Sequence, residues 1–268
     1  MMILSRLNEA LDRRAGLLTR NRILLESIDS TNSLALRLVK LCMDRGSPPP
    51  RMVVIALQQR SGRGRLGKAW VSLPEQGAYL SLVVGASGPD DLASLPLLVS
   101  VGLARTVAEI SGCFCSLKWP NDLMVSGRKI GGILIESVTR GAVRPAAVIG
   151  VGVNYGGSEA VSKVGGVAMN EVARELPPLP EVISELVCGI EEELSHLGEM
   201  TYAVARFREL SAHRPGDTLQ FRIGEDVQKG TFSGVDDRGF LVLQSDRGEI
   251  RLSAGEAIEE WTGESHES

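Results

Sequence analysis

Residues 118–155 read KWPNDLMVSGRKIGGILIESVTRGAVRPAAVIGVGVNY, and the way this stretch divides decides the fold class. Short apolar runs around Leu117–Trp119 and Leu123–Val125 flank Pro120, Asn121 and Asp122, residues that favour a turn. The tetrapeptide SGRK then reads as a hairpin turn, with KIGGILIES and RPAAVIGVGVNY as two further strands. Strands joined this tightly pair with one another, whereas a doubly wound parallel fold needs a crossover helix between each pair. The expectation is α+β, with paired strands and segregated helices.

Working outward, DSTNSLALRLVKLCMDRG predicts a helix starting at Asp29, Ser30 or Thr31, with Leu34, Leu38 and Leu41 on its apolar face and Gly46 past its end. Pro48–Pro50 stop it. RMVVIALQQ and AYLSLVVG read as buried strands, and DDLASLPLLVSVGLARTVAEI as a helix capped by Asp90 or Asp91 that tolerates Pro96 in its early turns. Helices follow over 181–197 and 203–210. A boundary falls near His213. Beyond it DTLQFRI, VQKGTFSGV, GFLVLQS and EIRLSA are short strands between Gly/Asp turns, with Leu219, Phe221 and Ile223 alternating, as do Ile250 and Leu252. The expected organisation is a large domain over 1–212 and a small β-barrel of SH3-like size over 213–268.

Composition narrows the function classes. The 268 residues are 43% hydrophobic and 23% charged, with a net charge of −4, so a cationic run is a local feature of an acidic molecule. That balance favours a small anionic ligand over a polyanion. Cys42, Cys113, Cys115 and Cys188 fit a reduced compartment, and Cys113-Phe-Cys115 lacks the partners of a metal site. The N-terminus has no continuous apolar signal core, and no run of about 18 apolar residues is apparent, so a soluble cytoplasmic protein without membrane partners is expected.

Four motifs offer chemistry, each with a plainer reading beside it. In QQRSGRGRLGKAW, residues 58–70, Arg60, Arg63, Arg65 and Lys68 lie among Gly62, Gly64 and Gly67, a run expected to be mobile in isolation. Arginines in such a loop suit phosphate or carboxylate oxygens, although a solvated loop or an RNA contact explains them equally well. Asn121 and Asp122 project from the corner that Pro120 makes, or form an Asx turn over a core Trp119. Lys129 precedes Gly131 and Gly132 in a strand, where glycines mark close approach of a ligand or of another backbone; a strand-end lysine is otherwise commonly just exposed. Trp70 suits stacking on a base or burial. Asn154 suits an adenine edge or a strand-end turn. There is no GxSxG, and His196, His213 and His266 form no triad pattern, so catalysis would rest on positioning and electrostatics.

DSTN, QRSGRGRLGKAW, KWPNDL, RKIGGILIE and GVGVNY, in this order and spacing, resemble the biotin protein ligases from about Arg22 to the C-terminal barrel. The resemblance implies a central mixed-sheet catalytic domain related to class II synthetases and to lipoate ligases, with the SH3-like barrel behind it. It implies a two-step reaction with biotin and ATP (with Mg²⁺) as substrates. Biotinyl-5′-AMP forms first, and biotin then passes to a lysine of a biotin carboxyl carrier protein. By the same resemblance Ser30, Thr31, Asn32 and Gln59 hold the biotin head group, while Gly62, Arg63, Gly64 and Arg65 order over biotin and the adenylate phosphate. Lys129 stands at the carboxylate–phosphate junction as the main electrostatic catalyst, with Arg65 guarding the intermediate. Gly131 and Gly132 admit the biotin chain, Trp70, Asn121 and Asn154 lie on the adenine side, and Asp122 is a candidate to orient neighbours or hold a Mg²⁺-bound water.

Leu66 stands where many relatives carry arginine, and Gly131 replaces a frequent alanine. Only 28 residues precede Asp29, too few for a winged-helix DNA-binding domain, so no operator binding is expected. RPAAVIGV could supply a sheet edge for pairing two copies as a homodimer, as relatives often pair, but the oligomeric state is not readable from the sequence. The rivals are a lipoate or octanoate ligase or transferase of the same superfamily, a Gly/Arg nucleic-acid-binding module with steep salt dependence, and a non-catalytic biotin sensor.

Overall fold

The computed structural model describes residues 2–14, 16–140, 143–223, 226–246, 248–253 and 257–262. The elements run α1 (Met2–Asp12), α2 (Leu17–Arg20), β1 (Arg22–Leu25), α3 (Thr31–Asp44), β2 (Met52–Ala56), β3 (Gly77–Gly85), α4 (Pro89–Ser111), β4 (Cys115–Lys118), β5 (Asp122–Val125), β6 (Arg128–Arg140) and β7 (Val143–Asn154). Then come α5 (Glu159–Lys163), α6 (Met169–Val172), α7 (Leu179–Glu193) and α8 (Met200–Leu210). The strands β8 (Thr218–Ile223), β9 (Asp226–Val235), β10 (Leu241–Ser245), β11 (Gly248–Leu252) and β12 (Ala257–Thr262) close the order.

The fold is the expected α+β. β1 to β7 form one mixed sheet in the order β1-β2-β3-β7-β6-β5-β4, parallel at β1–β2 and antiparallel elsewhere. Ser126 and Gly127 both have positive φ (49° and 70°), the backbone that a tight β5–β6 hairpin requires. The C-terminal strands form a separate antiparallel sheet, β11-β10-β9-β8-β12, whose last strand was not expected from sequence.

Strand alternation gives the large sheet two different faces. Val53, Ile55, Leu80, Leu82, Ile149 and Val151 point into the main core with α1, α4 and α7. Met52, Val54, Val83 and Val148 face α3. The apolar α3 side chains that bury are Ala35, Val39 and Met43, while Leu41 is exposed and Leu34 and Leu38 only half-buried. This overturns the expected leucine face. Arg37, Lys40 and Asp44 face solvent at helical spacing, so the buried stripe opposite them runs through Ala35, Val39 and Met43 instead of through the leucines. α4 starts at Pro89, just before the expected caps, with Gly88 at the cap position, Asp90 and Asp91 inside its first turn and Asp91 Oδ2 accepting from Ser87 N at 2.6 Å. Its 23 residues have a length and composition that would cross a bilayer, contrary to expectation, yet two thirds of its most apolar window is buried within the fold. α1, unassigned from sequence, buries Leu7 and Leu11, and its Ala10 carbonyl accepts from Ser184 Oγ of α7.

The two sheets meet around the KWPND corner. Leu117 bridges Ser211, and Ala212 N donates to Leu117 O at 2.8 Å. Trp119 Nε1 donates to Gly239 O at 3.3 Å, and Arg208 Nε to Val235 O at 2.8 Å. His213 is buried beside the Phe232 ring, centroids 5.5 Å apart. Leu219, Phe221 and Leu252 bury as the alternation predicts.

Candidate active site

A cavity of about 490 Å³ opens on the α3 face of the large sheet, beyond the N-terminus of that helix. Its position follows from strand parity. Ser81 pairs with Gly150, Gly132 with Gly152, and Leu134 with Gly150, so all of these share the face turned away from the main core. Gly150 and Gly152 must be glycine in this packing: a Cβ on the first would collide with the Asn32 amide, and one on the second with the Trp70 indole. The strand with missing side chains is therefore the cavity floor.

The closed end is a hydrogen-bonded polar wall. Ser30 caps α3, its hydroxyl accepting from Ser33 N at 3.4 Å. That cap holds the buried Thr31 and Asn32 in the first turn, facing the sheet. Thr31 N donates to Gln59 Oε1 at 2.9 Å, and Gln59 Nε2 to Ser72 Oγ at 2.9 Å. Ser81 Oγ lies 2.7 Å from Thr31 Oγ1 and 2.6 Å from Asn32 Oδ1. Asn32 Nδ2 donates to Glu136 Oε2 at 2.9 Å. These groups satisfy one another in a place where unpaired polar atoms would be costly.

The mouth is cationic. Within the folded chain residues 62–70 form a small hairpin: Arg63 bridges Ala69, Gly64 N donates to Lys68 O at 2.7 Å, and Trp70 N to Gly62 O at 2.9 Å. Leu66 and Gly67 turn the tip at positive φ, 53° and 73°. Arg65 reaches inward to Asn121 Oδ1 at 3.1 Å, and Asn121 Nδ2 donates to Ile133 O at 2.7 Å. Burial lowers the affinity of the Arg65 guanidinium for its proton, partly offset by the nearby Asp122 carboxylate. Lys129 Nζ donates to Asp122 Oδ1 at 2.6 Å and lies 5.4 Å from the Trp70 ring centroid. The Trp119–Pro120 peptide is cis.

Most expected site residues converge here: Ser30, Thr31, Asn32, Gln59, Arg63, Gly64, Arg65, Trp70, Asn121, Asp122, Lys129, Gly132 and Asn154 all line the cavity. Two do not. Gly131 pairs with Val153, and a side chain there would meet Val153 and Leu123 on the core face, because neighbouring strand residues point oppositely. Gly62 lies outside, where a Cβ would press on the Trp70 carbonyl and Ser72 Oγ. Asn154 lines the cavity, and its Nδ2 donates to Val167 O at 3.0 Å, so that side of its amide is already engaged. Sequence reasoning missed Lys118, which pairs in register with Asp122 and lines the cavity. Burial, then the like charges of Lys129 and Lys68, lower its pKa against the opposing pull of Asp122. It also missed Glu136, whose signal was its strand parity with Gly132 and Leu134. His196 stacks on Tyr202 far along the chain from these motifs, and His266 lies outside the described residues. All four cysteines are free, and Cys113 Sγ meets only a backbone carbonyl, that of Val172, among the contacts described for it.

The biotin/lipoate A/B protein ligase family matches residues 24–154, and the biotin protein ligase C-terminal domain matches residues 220–258. The biotin–[acetyl-CoA-carboxylase] ligase of Paracoccus denitrificans is 30% identical over 249 residues, which span 88% of this chain and 99% of the relative. The chain belongs to the biotin protein ligase family. The bifunctional ligase/repressor BirA of Bacillus subtilis is 26% identical over 75% of the chain, which spans only 63% of that longer protein. The biotin protein ligase of Aquifex aeolicus, solved with biotin and ATP, superposes with a TM-score of 0.72 over 90% of this chain and 99% of its own, at 24% identity. That likeness shows the shared ligase fold.

Proposed function

We propose that the protein activates biotin with ATP and transfers it to a lysine of a biotin carboxyl carrier protein. The observation that carries this reading is the polarity gradient of one cavity. A neutral hydrogen-bonding wall of Thr31, Asn32, Gln59 and Ser81 suits a ureido head group. About the mouth, Arg65, Lys118 and Lys129 gather cations where a carboxylate meets a phosphate chain. A membrane or a nucleic acid offers no use for the buried amide wall.

In the first half-reaction a biotin carboxylate oxygen attacks the α-phosphorus of ATP, and the bond to the β-phosphate oxygen breaks, releasing pyrophosphate. Lys129 and Arg65 stabilise the negative charge shared between the two anions, which otherwise repel. Lys118 and Lys68 face the departing diphosphate. Asp122 holds the Lys129 ammonium in place at 2.6 Å until the anionic substrates arrive. Mg²⁺ enters with the nucleotide as part of the substrate. In the second half-reaction the ε-amine of the carrier lysine attacks the acyl carbon, the carbon–oxygen bond to AMP breaks, and the amine proton leaves with solvent or base. Residues 1–212 carry this chemistry in our reading, and 213–268 form a separate small domain behind the KWPND corner.

Biotin-dependent exchange of labelled pyrophosphate into ATP tests the proposal, with lipoate and octanoate in parallel. Exchange with biotin alone is the expected result. Exchange with lipoate or octanoate instead moves the chain to the neighbouring branch of its superfamily, and no exchange in a folded sample refutes catalysis.

A further inference from the structure

We propose that Glu136 is a positioning residue that closes the Gly/Arg loop through Arg63 and, with the same carboxylate oxygen, orients Asn32; this deepens the adenylating role argued above. Glu136 stands on β6 opposite Val148, on the cavity-side face of the sheet, where a carboxylate needs partners. Its Oε2 accepts from Arg63 Nη2 at 2.6 Å and from Asn32 Nδ2 at 2.9 Å. The second bond commits the Asn32 amide nitrogen outward and turns its Oδ1 to Ser81, 2.6 Å away. One atom thus joins the loop to the head-group wall.

The two loop arginines consequently divide the work that sequence assigned to both. Arg65 points inward to Asn121, at the reacting end. Arg63, which also lines the main cavity, gives its guanidinium to Glu136 beside a second groove of about 490 Å³ that is lined by the loop, Leu134 and Glu136. With 41% and 28% of their side chains exposed, Arg63 and Glu136 form a pair that can open and close, a latch in place of a permanent core contact. When it opens, the loop is released from the wall and the cavity admits substrates. When it closes, water is kept from the mixed anhydride.

The test uses the full chain with Glu136→Ala, Glu136→Asp, Arg63→Gln and the double variant Arg63→Gln/Glu136→Ala. Without ligands, trypsin cleavage after Arg65 and Lys68 should accelerate by about fivefold in Glu136→Ala, the ceiling for a half-exposed pair. Glu136→Asp should recover part of the protection, and the double variant should cleave no faster than the faster single one. With biotin and ATP, Glu136→Ala should release a larger share of its biotinyl-AMP into solution while the pyrophosphate-exchange rate at saturation falls less. Unchanged cleavage, multiplicative effects of the two single changes, or equal losses of exchange and retention would overturn the latch. If wild type shows no biotin-dependent exchange, the functional reading fails, and the ligand-free cleavage series still decides whether Glu136 holds the loop.

Discussion

The two ends of the cavity are built by opposite means. At the closed end, Thr31, Asn32 and Ser81 are buried and joined through the Ser81 hydroxyl, with Asn32 packed over Gly150, so moving any one of them would break buried hydrogen bonds. At the mouth, a glycine-rich hairpin is held from outside by Arg63–Glu136 and from inside by Arg65–Asn121. The contrast shows how one site reconciles recognition with access. In the proposed reading, head-group shape is read by preformed packing, while the reactive centre is covered by contacts weak enough to yield each turnover. Substitutions at the closed end should therefore move stability and affinity together. Substitutions at the mouth should move the chemistry and leave the fold intact.

The largest effect is expected at the mouth. Lys129→Ala removes a cation from the junction of two anions and should lower the pyrophosphate-exchange rate by about 10²–10³-fold, comparable to losing an oxyanion donor. The same variant should melt within about a degree or two of wild type, since surface substitutions contribute little to stability. A large drop in melting temperature would make Lys129 part of the rigid end and break the contrast.

A comparable free energy should appear at the junction behind the rigid end, as a pH effect. Burial, with Lys118 nearby, lowers the His213 pKa from 6.5 to about 4, opposed by Asp217 and by a hydrogen bond with the Trp119 backbone. The folded state thus binds the proton less readily than the unfolded chain. Its share of stability is constant above pH 6.5 and is lost as pH falls from there toward 4, by roughly 3 kcal/mol in all. Urea midpoints measured between pH 7.5 and 4.5 should fall with this slope, and His213→Leu should flatten it. An unchanged slope in that variant would show that other groups carry the acid sensitivity.

Next comes Ser81→Ala. Its hydroxyl contacts both Thr31 and Asn32; removing it leaves Thr31 Oγ1 its bond to Gln59 Oε1 but takes the partner from the buried Asn32 Oδ1, at a cost of about 1–3 kcal/mol. Denaturant midpoint and biotin affinity should decline together. Lost affinity at undiminished stability would mean that ligand, and not packing, organises the wall.

How much of this contrast the sequence displayed depends on which physical signal each part used. The hairpins at Ser126–Gly127 and around Pro120 were readable because turn chemistry is local. The Gly/Arg loop and Lys129 were each ambiguous alone, and became readable only because five such motifs follow one another in order along the chain. The sense in which adjacent strand residues face was not. Gly131 and Gly132 look equivalent in sequence, yet parity sends one to the core and the other to the cavity. Glu136 shares the parity of Gly132, so register could have found it, but a lone acid in a strand attracts no notice without its partners. The face of α3 was misjudged because leucines on several sides leave the helical period ambiguous, and only the approach of the sheet selects Ala35, Val39 and Met43. The register between the two sheets, which buries His213, has no local signature at all.

The smallest effect on stability, and the sharpest on product fate, belongs to Arg65→Gly. The guanidinium donates to Asn121 Oδ1 at 3.1 Å across the cavity mouth, and its loss should alter stability by less than about 0.5 kcal/mol, as expected for a loop contact. The anhydride, however, would no longer be held by a charged cover. Activated biotin should diffuse away and acylate lysines of a bystander protein, detectable by blotting with labelled streptavidin in a reaction that lacks any carrier. Because acylation in solution follows the concentration of free intermediate, bystander labelling should scale with the rate of adenylate release and vanish when hydroxylamine is added as a competing nucleophile. Labelling confined to the carrier in this variant would mean that retention resides in the rigid wall, and the division between the two ends of the cavity would have to be redrawn.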